Sequence, residues 1–268
     1  MRYFAVTLAA LLWAASCAGA SAQEGEQDHI ETDRDSFTPA TTTAGPRRLI
    51  LESAYSFIDN RHVADTHSFP ELIGRYGVNE WLELRLGSNY EVGGEANSIS
   101  GAGGETGDLE GGGLETEAKV FYGLKAAVTA QDGWQPRSAV IIHGNTPTSG
   151  AETATHLVAT YVWGWTLVEG VEWDSAIRYG DAAVEEDHFN HWAPSTVLKA
   201  EIFEDWNAHI EYFGIFTDGR DVERSQSYIS PGVHYLITPN FEAGVRVGWG
   251  VSADAANFFS NFGVGLRF

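Results

Sequence analysis

The chain has 268 residues, of which 37 are acidic and 16 basic, so its formal net charge is −21. A protein this negative repels polyanions, which excludes nucleic acid as a partner. Hydrophobic residues make up 43% of the chain and aromatic residues 12%, enough apolar surface to form a fold and to exclude a disordered protein.

Residues 1–22 have the layout of a secretory signal peptide. Arg2 supplies a positive charge, residues 4–13 form a short apolar run, and Ala20-Ser21-Ala22 supplies the small residues that a signal peptidase requires. The run is shorter than the roughly 20 apolar residues of a transmembrane helix. Cys17 is the one cysteine and leaves with the signal, so the mature chain has no disulfide, thiolate nucleophile or cysteine metal ligand. This pattern predicts an exported protein of the bacterial envelope.

Residues 23–46 are polar and rich in turn-forming residues, and they predict an extended N-terminal arm. Two interpretations of the arm remain open. It is either a flexible tail on the periplasmic side, or a plug inside the domain that follows. As a plug it would bring Asp33, Arg34 and Asp35 against charges of the inner wall, and it would narrow or gate a pathway.

From residue 47 to the end, apolar and polar residues alternate with a period of two, most clearly in 82–92, 171–179 and 241–251. This is the pattern of strands with one apolar face and one polar face. Twelve strands are predicted, at 47–57, 67–78, 80–92, 114–129, 137–145, 153–164, 167–180, 189–203, 206–217, 225–237, 241–252 and 258–268. Short turns and longer polar loops alternate between them, as in outer-membrane barrels. An even number of strands places both chain ends on the short-turn side.

The sequence therefore predicts an all-β fold in which residues 47–268 form a transmembrane antiparallel up-and-down β-barrel of the outer-membrane type, with about 12 strands. A soluble β-sandwich and a lipocalin-like barrel are the alternatives, and both bury their apolar face. Nine tryptophans and ten tyrosines, many near strand ends, favour the membrane barrel, because such rings prefer the boundary between lipid and water.

The C-terminal Phe268 ends an alternating strand, and a terminal aromatic residue resembles the signal that the barrel-assembly machinery reads. We therefore expect this machinery, together with outer-membrane lipid and lipopolysaccharide, to be partners of the chain. The expected location is the outer membrane of a Gram-negative-type bacterium. Pro70, Pro194 and Pro231 each lie near the start of a predicted strand, and we expect them at bulges or strand ends because proline cannot donate to a ladder.

Strand parity places many charged residues on the polar face of the strands. A charge facing lipid at mid-membrane costs about 2–4 kcal/mol, so these residues are predicted to face the lumen. They are Glu52, Glu71, Arg75, Glu83, Arg85, Glu91, Glu117, Lys119, Lys125, Glu172, Asp174, Arg178, Lys199, Glu201, Glu211, Arg246 and Arg267. Two interpretations are open: charges that line a conducting pathway, or ion pairs that fill the lumen as a core.

Several stretches resemble a known family, the outer-membrane transporters associated with the meta pathway of phenol degradation. Thr-Asp-Arg-Asp-Ser-Phe-Thr at 32–38 is similar to the Thr-Asp-Arg-Pro-Asp-Phe-Thr opening of many members. Residues 51–55 resemble the first strand, 70–87 the second and third strands, and Thr-Pro-Thr at 146–148 a Pro-Thr-Gly motif. The resemblance implies an outer-membrane channel or transporter for passive uptake of small molecules, aromatic or hydrophobic solutes included.

A sealed structural or adhesive barrel and an outer-membrane lipid hydrolase are the competing functions. A hydrolase needs a nucleophile and its base within hydrogen-bond reach. Here His143 is followed two residues later by Asn145 instead of a serine, and no other serine stands in a partner position. Other histidines lie on separate strands without a ligand spacing, at His67, His191, His209 and His234. We therefore expect no enzyme, no metal and no cofactor. Acidic loops either bind calcium or form solvated surface, with Glu105, Asp108, Glu110, Glu185, Glu186 and Asp187 as the residues concerned.

Overall fold

The computed structural model describes residues 29–94, 97, 99–100, 115–149, 155–184, 187–219 and 223–268. The predicted signal peptide, the first residues of the arm and five of the acidic-loop residues lie outside the described residues; those five are Glu105, Asp108, Glu110, Glu185 and Glu186. The described part of the chain contains no helix that is long and apolar enough to span a membrane.

The described residues form twelve β-strands: β1 (Leu49–Asp59), β2 (Thr66–Gly77), β3 (Leu82–Gly93), β4 (Glu115–Thr129), β5 (Arg137–Ser149), β6 (His156–Val168), β7 (Val171–Val184), β8 (Asp187–Phe203), β9 (Trp206–Asp218), β10 (Ser225–Thr238), β11 (Phe241–Gly250) and β12 (Phe258–Arg267). Each strand pairs antiparallel with its neighbours in sequence, and β12 pairs with β1 to close the barrel. The prediction of a twelve-stranded antiparallel up-and-down barrel is confirmed.

The turn between β6 and β7 lies four residues later than predicted. The sequence placed it at 165–166, whereas β6 continues to Val168 and the turn contains Gly170. Gly170 has a φ of +74°, a conformation that glycine adopts without steric cost. The turn therefore forms where the backbone can reverse, and the apolar residues before it extend the strand.

Apolar side chains face outward along the strands and polar side chains face inward. Leu86 is 61% exposed, whereas its neighbours in sequence, Arg85 and Gly87, point to the interior. The same holds around the barrel for other exposed apolar residues, among them Leu51, Leu84, Tyr122, Leu157, Ile177, Leu198, Ile210, Val245 and Phe262. A soluble barrel or sandwich would bury these side chains, so the fold is that of an outer-membrane β-barrel.

The three prolines do not behave alike. Around Pro70 the register of β2 shifts in its pairing with both neighbouring strands, β1 and β3. On the β3 edge the shift lies between Ser68 and Leu72, so the predicted bulge is present there. The prediction is wrong for Pro194 and Pro231. Each of them lies inside a strand. The hydrogen-bond ladder to one neighbouring strand, β9 for Pro194 and β11 for Pro231, is interrupted at the proline and resumes in the same register. A missing N–H interrupts pairing in this way without adding a residue to the strand.

Candidate functional site in the barrel lumen

The described part of the arm, residues 29–46, runs through the barrel interior. It begins beside the β10–β11 turn, where Ile30 N donates to Pro239 O at 2.8 Å, and ends beside β2, where Arg47 N donates to Gly77 O at 2.7 Å. Both positions lie at the short-turn end of the barrel. Between them Phe37 is only 1% exposed. The arm therefore enters from the short-turn end, reaches into the lumen and returns.

Asp33 of the arm lies among three cations of the wall. Its carboxylate is 2.5 Å from Arg85 Nη1, 3.3 Å from Lys125 Nζ and 3.6 Å from Arg75 Nε, and all four side chains are fully buried. Burial by itself would raise the pKa of Asp33, but the attraction of Arg75, Lys125 and Arg85 outweighs it and holds that pKa well below its usual range. The arm thus carries an ionised carboxylate into a cationic pocket of β2, β3 and β4.

Two wall carboxylates hold the arm backbone in the same region. Glu52 Oε2 accepts hydrogen bonds from Asp33 N at 2.9 Å and Arg34 N at 3.0 Å. Glu83 Oε2 accepts one from Ala44 N at 2.7 Å. The other oxygens of both carboxylates lie 2.8–3.1 Å from the cations that surround Asp33. Each wall charge therefore has a partner on the arm, on the wall or on both, which lets it remain buried.

Arg34 connects the arm to a segment that enters the lumen from the other end. Its Nη1 donates to Glu71 Oε2 at 2.8 Å and to Ser100 Oγ at 2.9 Å. Ser100 belongs to the β3–β4 connection, whose residues Asn97 and Ile99 are also fully buried. Segments from opposite ends of the barrel thus meet near its middle.

The tip of the arm is held at Phe37 and Thr38. The Phe37 ring stacks on Phe213, with centroids 4.3 Å apart and planes 8° apart, and the Arg178 guanidinium lies 4.3 Å from the Phe37 centroid. Glu211 accepts hydrogen bonds from Phe37 N at 2.8 Å, and from Thr38 N and Thr38 Oγ1 at 2.7 Å each. One wall carboxylate therefore makes three charge-assisted hydrogen bonds to the tip.

Aromatic side chains of the wall continue this stack. Tyr228 lies 4.9 Å from Phe213, and Phe259 lies 5.8 Å from Tyr228, measured between ring centroids. Together with Phe37 and Ile99 they belong to the largest buried apolar cluster of the described residues. The lumen thus contains an aromatic wall on β9, β10 and β12, which continues through the β12–β1 pairing into the charged wall of β1 to β4.

A cavity of about 300 Å³ lies beside the arm at the short-turn end. Its charged lining consists of the carboxylates Glu31, Asp35, Glu172, Glu201 and Glu242, and the cations Arg137 and Lys199. Lys199 Nζ is 3.4 Å from Asp35. Burial raises the pKa of Asp35, but Lys199 and, more weakly, His234 and His209 bring it below its usual value. Residues of the arm form part of its lining, among them Ile30, Thr32 and Thr42.

One grouping of carboxylates has the dimensions of a metal site. Glu31, Glu172 and Asp174 each bring an oxygen within 4.8 Å of the others. Arg137 Nη2 already lies 3.0 Å from both Glu172 and Asp174. A guanidinium therefore supplies positive charge beside two of these three carboxylates, as in an ion-pair network.

Most charged residues that strand parity assigned to the lumen are buried in the interior: Glu52, Glu71, Arg75, Glu83, Arg85, Glu91, Glu117, Lys119, Lys125, Asp174, Arg178, Glu211 and Arg246. Lys199 and Glu172 are partly exposed on the cavity. Glu201 is exposed and Arg267 is half-buried, both at the short-turn rim. Parity sets the face on which a side chain lies, but not its depth along the barrel axis.

Sequence reasoning missed three features of the lumen. Arg137 is the first residue of β5 and shares its inward parity with His143, so the alternation would have identified it. His209 Nδ1 and His234 Nε2 lie 3.0 Å apart on neighbouring strands, which only the strand register reveals. The inward aromatic wall carries no sequence signal, because Phe213 and Phe259 are apolar residues on the polar face.

His143 and Asn145 lie on the inner face of β5 and are buried. His143 Nε2 accepts a hydrogen bond from Arg85 Nε at 2.9 Å. Catalysis on membrane lipid would require these residues on the outer face. Their position gives no support to a lipid hydrolase of the type considered from the sequence.

Among solved structures, the chain is similar to three outer-membrane proteins. The first is an outer-membrane channel from Pseudomonas putida F1, with 9% identity and a TM-score of 0.60; the match covers 89% of this chain and 100% of that one. The second is the NanC porin, with 11% identity and a TM-score of 0.52, covering 81% of this chain and 98% of that one. The third is the KdgM porin in complex with disordered oligogalacturonate, with 11% identity and a TM-score of 0.50, covering 82% of this chain and 99% of that one. At such identities the similarity shows the fold alone. No curated protein matches the chain. The sequence profile of the family described as "Putative MetA-pathway of phenol degradation" matches residues 32–268, and the chain therefore belongs to that family.

Proposed function

We propose that the chain is an outer-membrane channel for passive uptake of small solutes, aromatic and hydrophobic ones included, and that the arm at 23–46 gates it. The observation that carries the proposal is the arm itself. The lumen is occupied by a separate segment that enters from one end, and its described residues contact the wall through hydrogen bonds, ion pairs and ring contacts. Water can replace such contacts when the segment leaves.

The wall has the shape needed to admit this segment. A Cβ atom at Gly265 would lie 2.4 Å from Thr32 Cγ2, and one at Gly77 would lie 1.7 Å from Gly45 O. Both contacts are closer than atoms allow, so the glycines leave the space that the arm uses. A barrel sealed by its own side chains would have no need of such positions.

The aromatic wall supports the choice of solute. Phe213 and Tyr228 are stacked and Phe259 meets Tyr228 edge-on in the interior of the barrel, where an aromatic solute would gain about 0.5–1.5 kcal/mol per ring pair beyond area burial. The charged wall of β1 to β4 would keep the pathway wetted and select among solutes.

Planar-bilayer conductance of the refolded mature chain, with and without residues 23–46, tests the proposal. We expect small or rare currents from the full chain and a larger, size-limited current after the deletion. Equal currents would contradict gating by the arm. Two silent proteins would favour a sealed structural or adhesive barrel, and a silent protein that hydrolyses lipid would favour an enzyme.

A further inference from the structure

The inner wall contains a carboxylate-binding site that the arm occupies with one of its own residues. We propose that Arg75, Arg85 and Lys125 bind the carboxylate of a transported solute, and that Asp33 takes the place of this carboxylate while the lumen is closed. That this solute is transported rests on the proposed function, whereas the binding site rests on the positions of the three cations around Asp33.

The three cations converge on one position. They come from three adjacent strands, β2, β3 and β4, with Arg75 paired to Arg85 and Glu83 paired to Lys125 in the register. Their nitrogen atoms lie 2.5–3.6 Å from the two oxygens of Asp33. Cross-strand neighbours of like charge repel each other, so the pairing of Arg75 with Arg85 destabilises the empty wall. An anion between the cations relieves this repulsion.

The charges of the wall residues around Asp33 do not balance without it. The three cations face two wall carboxylates, Glu52 and Glu83, at 2.8–3.1 Å. When Asp33 leaves, one buried positive charge has no counter-charge in this group. A cluster of charges of one sign lining a narrow pathway attracts ions of the opposite sign from the water that enters it, so the open state would recruit an anion.

The site also has hydrogen-bond donors to spare. Arg75 Nη2 and Arg85 Nη2 are buried and have no protein hydrogen-bond partner among the described residues. A guanidinium presents its donors as a planar fork that matches a carboxylate. A free carboxylate with room to turn could use these donors, which the tethered Asp33 does not reach.

Charge and access indicate the class of ligand. One missing negative charge matches a monocarboxylate, whereas a phosphate dianion would leave an excess negative charge. The cavity at the short-turn end leads to the arm, and two of its lining carboxylates, Glu31 and Asp35, belong to the arm. They would leave with it and reduce the negative charge along the route to the site.

Chemical rescue of the full mature chain tests the inference. Asp33→Ala removes the carboxylate and leaves space for formate or acetate. We expect the melting temperature of this variant in detergent to lie below that of the unmodified chain. Formate at ten times its dissociation constant should raise it by about 3–6 °C, because this excess of ligand contributes about 1.4 kcal/mol.

Two variants and one salt serve as controls. Asp35→Ala removes the carboxylate paired with Lys199 and should show a smaller formate effect. Asp33→Ala/Arg85→Gln should show none. Sodium chloride at the same ionic strength should not reproduce the rescue. In bilayers, benzoate should block the current of Asp33→Ala at lower concentrations than it blocks that of the unmodified chain, whereas benzyl alcohol should act equally on both.

Several outcomes would overturn the inference: a melting temperature of Asp33→Ala that formate leaves unchanged, an equal effect of chloride, a rescue that survives Arg85→Gln, or benzoate that blocks both proteins alike.

If Asp33→Ala refolds only with formate present, the site is supported; if it fails to refold regardless of formate, the inference is overturned. The melting assay tests the binding site and does not depend on conductance. A chain that conducts but binds no formate therefore overturns only the binding site. A chain that binds formate but does not conduct overturns only the proposed function.

Discussion

Replacing Glu211 by glutamine should release the tip of the arm. In the closed barrel its carboxylate accepts three hydrogen bonds from Phe37 and Thr38, at 2.7–2.8 Å. A glutamine keeps one acceptor oxygen and turns an NH₂ group toward donors of the arm. The variant therefore loses at least one acceptor and creates a donor–donor contact, while the volume of the side chain hardly changes.

The magnitude follows from the chemistry of these bonds. A hydrogen bond to a charged group contributes about 1.5–3 kcal/mol, so losing one to two of them destabilises the closed state by about 3 kcal/mol. Because 1.4 kcal/mol corresponds to a factor of ten, the open population should rise roughly a hundredfold. Arg246, which lies 3.4 Å from Glu211, is on the wall in both states, so its lost partner affects the two states about equally.

Thiol labelling measures this population directly. Residues 23–268 contain no cysteine, and Ala40 is a fully buried arm residue. In an Ala40→Cys background, the alkylation rate of the thiol should rise roughly a hundredfold with Glu211→Gln, in proportion to the open population. Glu201→Gln, the same change at the exposed rim, should leave the rate unchanged. An unaltered rate in Glu211→Gln would refute the claim that this carboxylate pins the arm.

Three further changes test other parts of the account. Gly265→Val should displace the arm and raise the bilayer current, because a Cβ at this position would lie 2.4 Å from Thr32 Cγ2. Gly263→Val should leave the current unchanged, because a Cβ there would lie 3.6 Å from its nearest neighbours, an ordinary contact distance. The pKa of Asp33 is held well below its usual 3.8, so its contribution to arm docking is complete above about pH 4 and is lost only as the pH falls further; the ratio of the labelling rate of Asp33→Asn to that of the unmodified arm should be constant from about pH 7 to 5 and fall toward one in stronger acid. Leu86 is 61% exposed on the lipid side, and Leu86→Arg should reduce folding stability in lipid vesicles by about 2–4 kcal/mol, whereas Leu86→Phe should have little effect.

The sequence predicts the barrel because the barrel depends on local patterns. Alternation along each strand specifies which side chains face lipid, and turn-forming residues specify where a strand ends. The contacts inside the lumen depend on cross-barrel distances that no local pattern encodes. Parity places both Lys199 and Glu201 on the inner face, yet the first reaches Asp35 and the second is exposed at the rim.

The position of the arm shows the same limit. The charges of Asp33, Arg34 and Asp35 indicated that the arm had something to meet inside the barrel, and the flexible tail remained an equal alternative. What places Asp33 between Arg75, Arg85 and Lys125 is the register of β2, β3 and β4. What holds Phe37 is an aromatic wall on other strands, β9, β10 and β12, whose residues look in sequence like ordinary apolar strand residues.

A reversible tether on the arm tests whether the arm has to leave the lumen for current to pass. Thr38 Oγ1 and Ser195 Oγ lie 2.8 Å apart, close enough for Thr38→Cys/Ser195→Cys to form a disulfide in a protein of residues 23–268, which has no other cysteine. Bilayer current of this variant should be absent when oxidised and should appear on reduction, because only the reduced arm can leave the lumen. The same current in both redox states would contradict an arm-gated channel.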